Sequence, residues 1–158
     1  MKESGEIVYS SDSNEWETPQ WLFDLLNVEF MFELDPSAND NNAKCDLYYT
    51  NCENGLSVPW APYTVFCNPP YSPWQTAYKW VKKAYEEGKS TTVVQLLPAR
   101  TSNKWFHEYV MYAKEIRFIS GRIKFIGGKY FAPFPSMIVI FAPGNHWPVI
   151  GEPIVIQE

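Results

Sequence analysis

The amino-acid sequence predicts an α/β domain with a mainly parallel, doubly wound sheet and a C-terminal hairpin. Three observations carry that expectation. Short apolar runs alternate with segments of helical spacing through the first two thirds of the chain, the pattern of strand–helix–strand units. Gly127-Gly128 then separates Gly121 to Phe125 from Lys129 to Phe131, a strong hairpin signal. The 158 residues supply one sizeable core and leave no room for a second.

Each element has a local reason. Residues 1–15 are polar and aperiodic and read as a flexible arm, with 16–158 as a single domain. Thr18 reads as an N-cap and Pro19 as the first residue of a helix carrying Trp21, Leu22, Leu25 and Leu26. Phe30 to Leu34 reads as a short buried strand. Asp35 to Asn42 is a loop, because Pro, Ser, Asn and Asp favour turns. Leu47 to Tyr49 is a second short strand, and Asn51 to Ala61 is broken by Gly55 and Pro59. Tyr63 to Cys67 is a compact apolar strand, halted at Asn68-Pro69-Pro70-Tyr71 because prolines donate no ladder bond. Pro73 opens a helix with Trp74, Ala77, Tyr78, Val81 and Ala84 as its inner face, and Gly88 ends it. Thr91 to Leu97 is a buried strand stopped by Pro98. Ser102 caps a helix carrying Trp105, Phe106, Tyr109 and Val110. Glu115 to Ile119 and Ser136 to Ala142 are further strands, and Ile154 to Ile156 is a last apolar run.

Composition bounds the function classes. Hydrophobic residues make up 46%, charged residues 20% and aromatics 17%, which argues for a globular chain and against disorder. No apolar stretch is long enough to span a bilayer, and the first residues lack a signal-peptide pattern. Cys45, Cys52 and Cys67 are odd in number with no CxxC pair, so a reducing, cytoplasmic setting is expected rather than a disulfide scaffold. His107 and His146 are far apart, so no metal site is expected. The net charge of −5 argues against non-specific nucleic-acid binding. Yet residues 1–60 hold twelve acidic residues against Lys2 and Lys44, whereas 100–130 hold seven basic residues against Glu108 and Glu115. A basic segment on an acidic chain marks either a face for an anionic partner or a solvated surface.

The chemistry concentrates where strands end, the usual ligand position in a doubly wound sheet. Asn68-Pro69-Pro70-Tyr71 is the sharpest signal. The prolines stiffen the turn and remove its N–H donors, leaving the Asn68 carboxamide oxygen and the Pro69 carbonyl as paired acceptors. Two acceptors side by side can take both hydrogens of an –NH₂ group, and Tyr71 offers a flat face for a planar ring. Such a pocket suits a flipped base with an exocyclic amine. Pulling on both hydrogens favours a pyramidal nitrogen whose lone pair faces an electrophile, an effect that grows as positive charge builds in the transition state.

Asn-Pro-Pro-Tyr at a strand end resembles the catalytic motif of S-adenosylmethionine-dependent amino methyltransferases. The ordered set is wider: Trp16-x-Thr18-Pro19, Leu34-Asp35-Pro36-Ser37-Ala38, Gly55-Leu56-x-x-x-Trp60, Asn68-Pro69-Pro70-Tyr71, Leu97-Pro98-Ala99-Arg100-Thr101 and Gly121-Arg122-Ile123-Lys124-Phe125. Over residues 16–141 it closely resembles the small phage-type DNA N6-adenine methyltransferases, the Dam-like family. The resemblance implies a Rossmann-like methyltransferase fold, S-adenosylmethionine as cofactor, double-stranded adenine-containing DNA as partner, and a phage or prophage gene expressed in the bacterial cytoplasm. It assigns Asn68, Pro69, Pro70 and Tyr71 to catalysis. Thr18 and Pro19 match the segment near the methionine end of the cofactor, and Asp35-Pro36-Ser37-Ala38 match the first cofactor loop.

That loop departs from the general pattern, since Asn39-Asp40-Asn41-Asn42 replace its usual glycines. Asparagine tolerates left-handed backbone, so the loop stays feasible. Asn54 stands where related enzymes often carry an Asp facing the cofactor's adenine amine, and Asp46 or Glu53 is the candidate ribose acid. Phe125 is the candidate second aromatic wall, with Arg100, Arg122 and Lys124 on the DNA. No separate target-recognition domain is expected, and the target sequence and oligomeric state stay open.

Simpler readings stand beside these. Asn68 could cap a turn, Asp35 could end a strand, and Phe125 could be hairpin core. Trp16 and Trp60 read as core or lid residues, and Cys67 as a small buried strand residue. Alternative functions are the same chemistry on cytosine N4, RNA adenine or protein glutamine, or an inactive DNA-binding homologue.

Overall fold

The computed structural model describes residues 16–156; the expected N-terminal arm lies outside the described residues. One eight-stranded sheet forms the centre. Its strands are β1 (Leu34–Asp35), β2 (Leu47–Tyr48), β3 (Val65–Cys67), β4 (Val93–Pro98), β5 (Glu115–Ser120), β6 (Ser136–Phe141), β7 (Val149–Ile150) and β8 (Ile154–Val155). The order is β2-β1-β3-β4-β6-β5-β7, with β8 also on β5. β2, β1, β3 and β4 run parallel. β6 is antiparallel to both its neighbours, and β7 and β8 run parallel to β5.

Helices cover both faces. Phe66 and Cys67 are consecutive on β3, so their side chains point to opposite faces. Phe66 meets Phe23 of α1 (Gln20–Phe30) edge-on, with ring centroids 5.3 Å apart. On the other face Gln95 donates to the Cys67 sulfur and, at 3.2 Å, to the Trp80 carbonyl of α2 (Trp74–Glu87). α3 (Lys104–Glu108) packs beside α2, where the Tyr78 hydroxyl reaches Glu108 and Tyr109. Every residue of β3, β4 and β6 is buried, which is why these strands read as unbroken apolar runs.

Most predicted elements are present, and the departures have physical causes. The expected hairpin is absent. Residues 121–135 alternate between buried (Ile123, Phe125, Ala132, Phe134) and exposed positions, which mimics a hairpin's period. However, the Ile126 N–H bonds the Glu17 carbonyl at 3.0 Å, forming a bridge to the N-terminal segment. One backbone bond, Ala132 N–H to Ile123 carbonyl at 2.7 Å, joins the two arms. Thr18 does not cap α1. Pro19 takes the cap position, and the Thr18 hydroxyl accepts from Asn68 instead.

Met31, with φ +51°, ends α1 in a left-handed turn, so the expected strand from Phe30 shrinks to Leu34–Asp35. Trp74 is exposed and Trp80 takes its place on the inner face of α2. Asn103 rather than Ser102 precedes α3. The β1–β2 and β2–β3 connections are irregular loops, whereas α2 links β3 to β4.

Candidate active site

Parallel pairing sets the site. Leu34 of β1 lies opposite Val65 of β3, so the loops after these strands emerge side by side. The Ser37 hydroxyl consequently donates to the Asn68 carbonyl at 3.3 Å. Between the loops opens a cavity of about 410 Å³, a size that suits a small-molecule ligand. Of the candidates, Thr18, Asp35, Ser37, Ala38, Asn68, Pro69 and Pro70 line it. Pro19 instead opens α1, its carbonyl accepting from Leu22 and Phe23. Pro36 is buried beneath Gly55, and Asn54 does not reach the cavity.

Asp35 is 5% exposed. Its carboxylate accepts the backbone N–H groups of Ser37 at 3.3 Å and Lys44 at 3.1 Å. Burial nevertheless dominates and pushes its pKa up to about 6. Lys44 crosses the cavity wall, its ammonium donating to Gln20 at 3.2 Å and lying 3.8 Å from Glu17.

The asparagines after Asp35 hold their loop by side-chain bonds, not by left-handed backbone. Asn39 Oδ1 accepts from the N–H groups of Asn41 and Asn42, while Asn42 Oδ1 accepts from Asn39. Among the described asparagines the left-handed one is Asn54, with φ +54°. Glu53 caps its own turn, accepting from the Thr50 N–H at 2.7 Å and hydroxyl at 2.6 Å, and Asp46 is exposed; neither lines the cavity.

Asn68 sits at the meeting point of three segments. Its amide nitrogen donates to the Trp16 carbonyl and, at 2.9 Å, to the Thr18 hydroxyl. Its oxygen accepts from the Tyr71 hydroxyl at 2.5 Å, which also lies 3.2 Å from the Leu96 carbonyl. Tyr71 is 3% exposed and meets Phe134 edge-on, so its ring presents no open face to the cavity. Burial raises its phenol well above the ordinary range, which keeps it a donor. Phe125 is also buried, against Trp16 and Phe134, and it lines a second cavity of about 340 Å³ that shares Trp16, Glu17, Asn39 and Asn42 with the first.

Arg100 lies over the Phe134 ring, 5.4 Å from its centroid. Arg122 and Lys124 are exposed and, among the described residues, form no ion pair.

The arrangement thus joins a cavity with a buried carboxylate to a rigid turn rich in acceptors. A family model described as DNA N-6-adenine-methyltransferase (Dam) matches residues 7–143. The chain belongs to the Dam family. A protein of Haemophilus phage HP1 (strain HP1c1) named DNA N-6-adenine-methyltransferase is 34% identical over 142 residues, covering 84% of this chain and 81% of its own. A protein of the same name from Escherichia phage T1 is 32% identical over 132 residues, covering 72% of this chain and 54% of its own. The putative methyltransferase YfdM of Escherichia coli (strain K12) is 38% identical over 68 residues, covering 39% of this chain and 74% of its own. Among the described residues of this Dam-family chain, no helix is long and apolar enough to cross a membrane.

Several residues that line the cavity were not expected there, among them Trp16, read as core or lid, and Lys44, Asn51 and Trp80. Trp80 had a usable signal, since it falls on the inner stripe of α2 beside Ala77, Val81 and Ala84. Lys44 had none, because only the folded loop brings its backbone to Asp35.

Proposed function

We propose that this chain is an adenine-specific DNA methyltransferase with a Rossmann-like arrangement, using S-adenosylmethionine. One observation carries the reading: Asn68, Pro69 and Pro70 open onto the same cavity as Asp35, Ser37 and Ala38. Donor and acceptor can then be held together, which replaces a bimolecular encounter by a positioned one. The donor set fits a cationic cofactor. Asp35 is a buried carboxylate without a side-chain cation among its hydrogen-bond partners, so a positive ligand would favour its ionised form. Phe66, Trp16 and Trp80 supply apolar wall.

When bound, S-adenosylmethionine supplies an electrophilic methyl group on a sulfonium. The chain's part is to present the amine. Asn68 Oδ1 accepts one amine hydrogen and the Pro69 carbonyl the other, and both bonds strengthen as positive charge develops on nitrogen. A carbonyl oxygen has two lone pairs, so Oδ1 can keep its Tyr71 bond meanwhile. Tyr71 acts from behind the turn, fixing that oxygen. Phe125 and Trp16 wall the neighbouring cavity, and Arg100, Arg122 and Lys124 take DNA phosphates.

The test is transfer of labelled methyl to adenine-containing duplex DNA, against cytosine-only DNA, RNA and glutamine peptides. Label on duplex adenine alone is expected, and Asn68→Ala should lower kcat about a hundredfold or more while sparing cofactor affinity. Transfer to another amine, or full turnover by Asn68→Ala, overturns the proposal.

A further inference from the structure

We infer that the Trp16–Thr18 segment is the positioning element of the Asn68 carboxamide, its two acceptors holding both amide hydrogens so that the oxygen is the end offered to the substrate amine. The inference rests on the function proposed above and goes beyond it by assigning a role to a segment fifty residues away in the chain.

A carboxamide has two nearly isosteric ends, and a half-turn exchanges them. An Asn that accepts from a substrate amine must be prevented from presenting its own NH₂. Here the geometry decides the orientation. The Trp16 carbonyl is an acceptor only, so a turned amide would set oxygen against oxygen. The Thr18 hydroxyl accepts the second hydrogen at 2.9 Å. On the opposite side the Tyr71 hydroxyl meets Oδ1, and one lone pair of that oxygen remains for a ligand. Holding both Nδ2 hydrogens also polarises the amide toward its oxygen, which strengthens it as an acceptor.

The segment is rigid enough for this work. Thr18 is 3% exposed. The Glu17 carbonyl accepts from Ile126 at 3.0 Å. The Trp16 ring rests on Phe125 and Phe134, with centroids 5.4 and 5.2 Å away. Phe134 in turn meets Tyr71, so both ends of the Asn68 amide are braced by one aromatic cluster. An Asp at this position would place an oxygen against the Trp16 carbonyl with no hydrogen between them.

The test compares Thr18→Val, which keeps the shape and loses the acceptor, with Thr18→Ser, which keeps the acceptor and loses the methyl. In the labelled-methyl assay Thr18→Val should lower kcat about tenfold or more with KM for S-adenosylmethionine held within about twofold. Thr18→Ser should restore kcat. In NMR spectra of the full chain, Thr18→Val should shift and speed the exchange of the Asn68 side-chain NH₂, while Thr18→Ser leaves it near the original. Unchanged kcat with a raised KM would make Thr18 a cofactor contact and overturn the inference. So would equal losses in the two variants, or an Asn68 NH₂ signal blind to both. Should Thr18→Val fail to fold, the NMR spectrum of the unmodified chain decides: slowed exchange of both Asn68 side-chain NH₂ hydrogens supports the inference, and exchange as fast as in a free carboxamide overturns it. The NMR arm needs no activity. If the protein methylates no adenine while the NH₂ signal responds as expected, the functional reading fails and the positioning geometry stands.

Discussion

Asp35 joins burial to ligand binding through its proton. Its pKa rises from 3.8 to about 6 because burial outweighs the two N–H groups facing it. The folded protein therefore holds a proton that the unfolded chain releases. Its contribution to stability is fully favourable below about pH 4 and falls away through about pH 6, by up to roughly 3 kcal/mol. A cation in the cavity reverses that preference by favouring the carboxylate. Lys44 and Glu17, which share this wall, lie 3.8 Å apart and largely offset each other. The affinity for S-adenosylmethionine is expected to rise between about pH 5 and about pH 8, and Asp35→Asn should flatten the profile. Calorimetric titration at several pH values checks this, and a flat profile in the unmodified protein would contradict it.

Among the elements, the loop from Gly55 to Trp60 explains a signature none of whose residues lines the cavity. The Trp60 indole N–H donates to the Gly55 carbonyl at 2.8 Å and closes the loop. A Cβ at Gly55 would lie 2.1 Å from the Pro36 carbonyl oxygen and 3.0 Å from the Trp80 ring. Glycine lets the loop press on Pro36, just after Asp35, and on Trp80 in the cavity wall. Glu87 anchors the far end, accepting from the N–H groups of Trp60 at 3.0 Å and Ala61 at 3.2 Å. Gly55→Ala is expected to cost about 2 kcal/mol by overpacking and to weaken cofactor binding through the shifted wall. Melting curves with and without S-adenosylmethionine measure both effects. Trp60→Phe loses both the bond and the pyrrole part of a fully buried indole, so a cost of about 2–3 kcal/mol is expected.

Across the molecule the charge is divided between an acidic N-terminal part and a basic 100–130 segment. The structure shows where the basic part emerges. Arg122, Lys124 and Lys129 are exposed on the loop that packs over Trp16, together with Tyr130 at 73% and Phe131 at 65% exposure. Exposed aromatics among lysines suit a nucleic-acid surface, where rings meet bases and ammonium groups meet phosphates. Arg122→Ala and Lys124→Ala should each reduce the salt slope of DNA binding by about one and leave S-adenosylmethionine affinity unchanged. Affinities measured across a salt series test this, and an unaltered slope would remove the loop from the interface.

The apolar runs, the proline stops and the ordered motifs were legible in the chain, because propensity, period and turn chemistry are local. They yielded β2 to β6, a displaced β1, the two principal helices and the Asn68 turn, but not β7. Contacts between distant segments decided the remainder. The Gly127-Gly128 turn looks like a hairpin until the Ile126 N–H finds Glu17. Thr18 looks like a helix cap until Asn68 claims its hydroxyl, and Tyr71 looks like an open stacking face until Phe134 covers it. A local pattern states which groups can bond and which faces are apolar. The partner each group takes is a competition among distant candidates, and only the packed chain settles it.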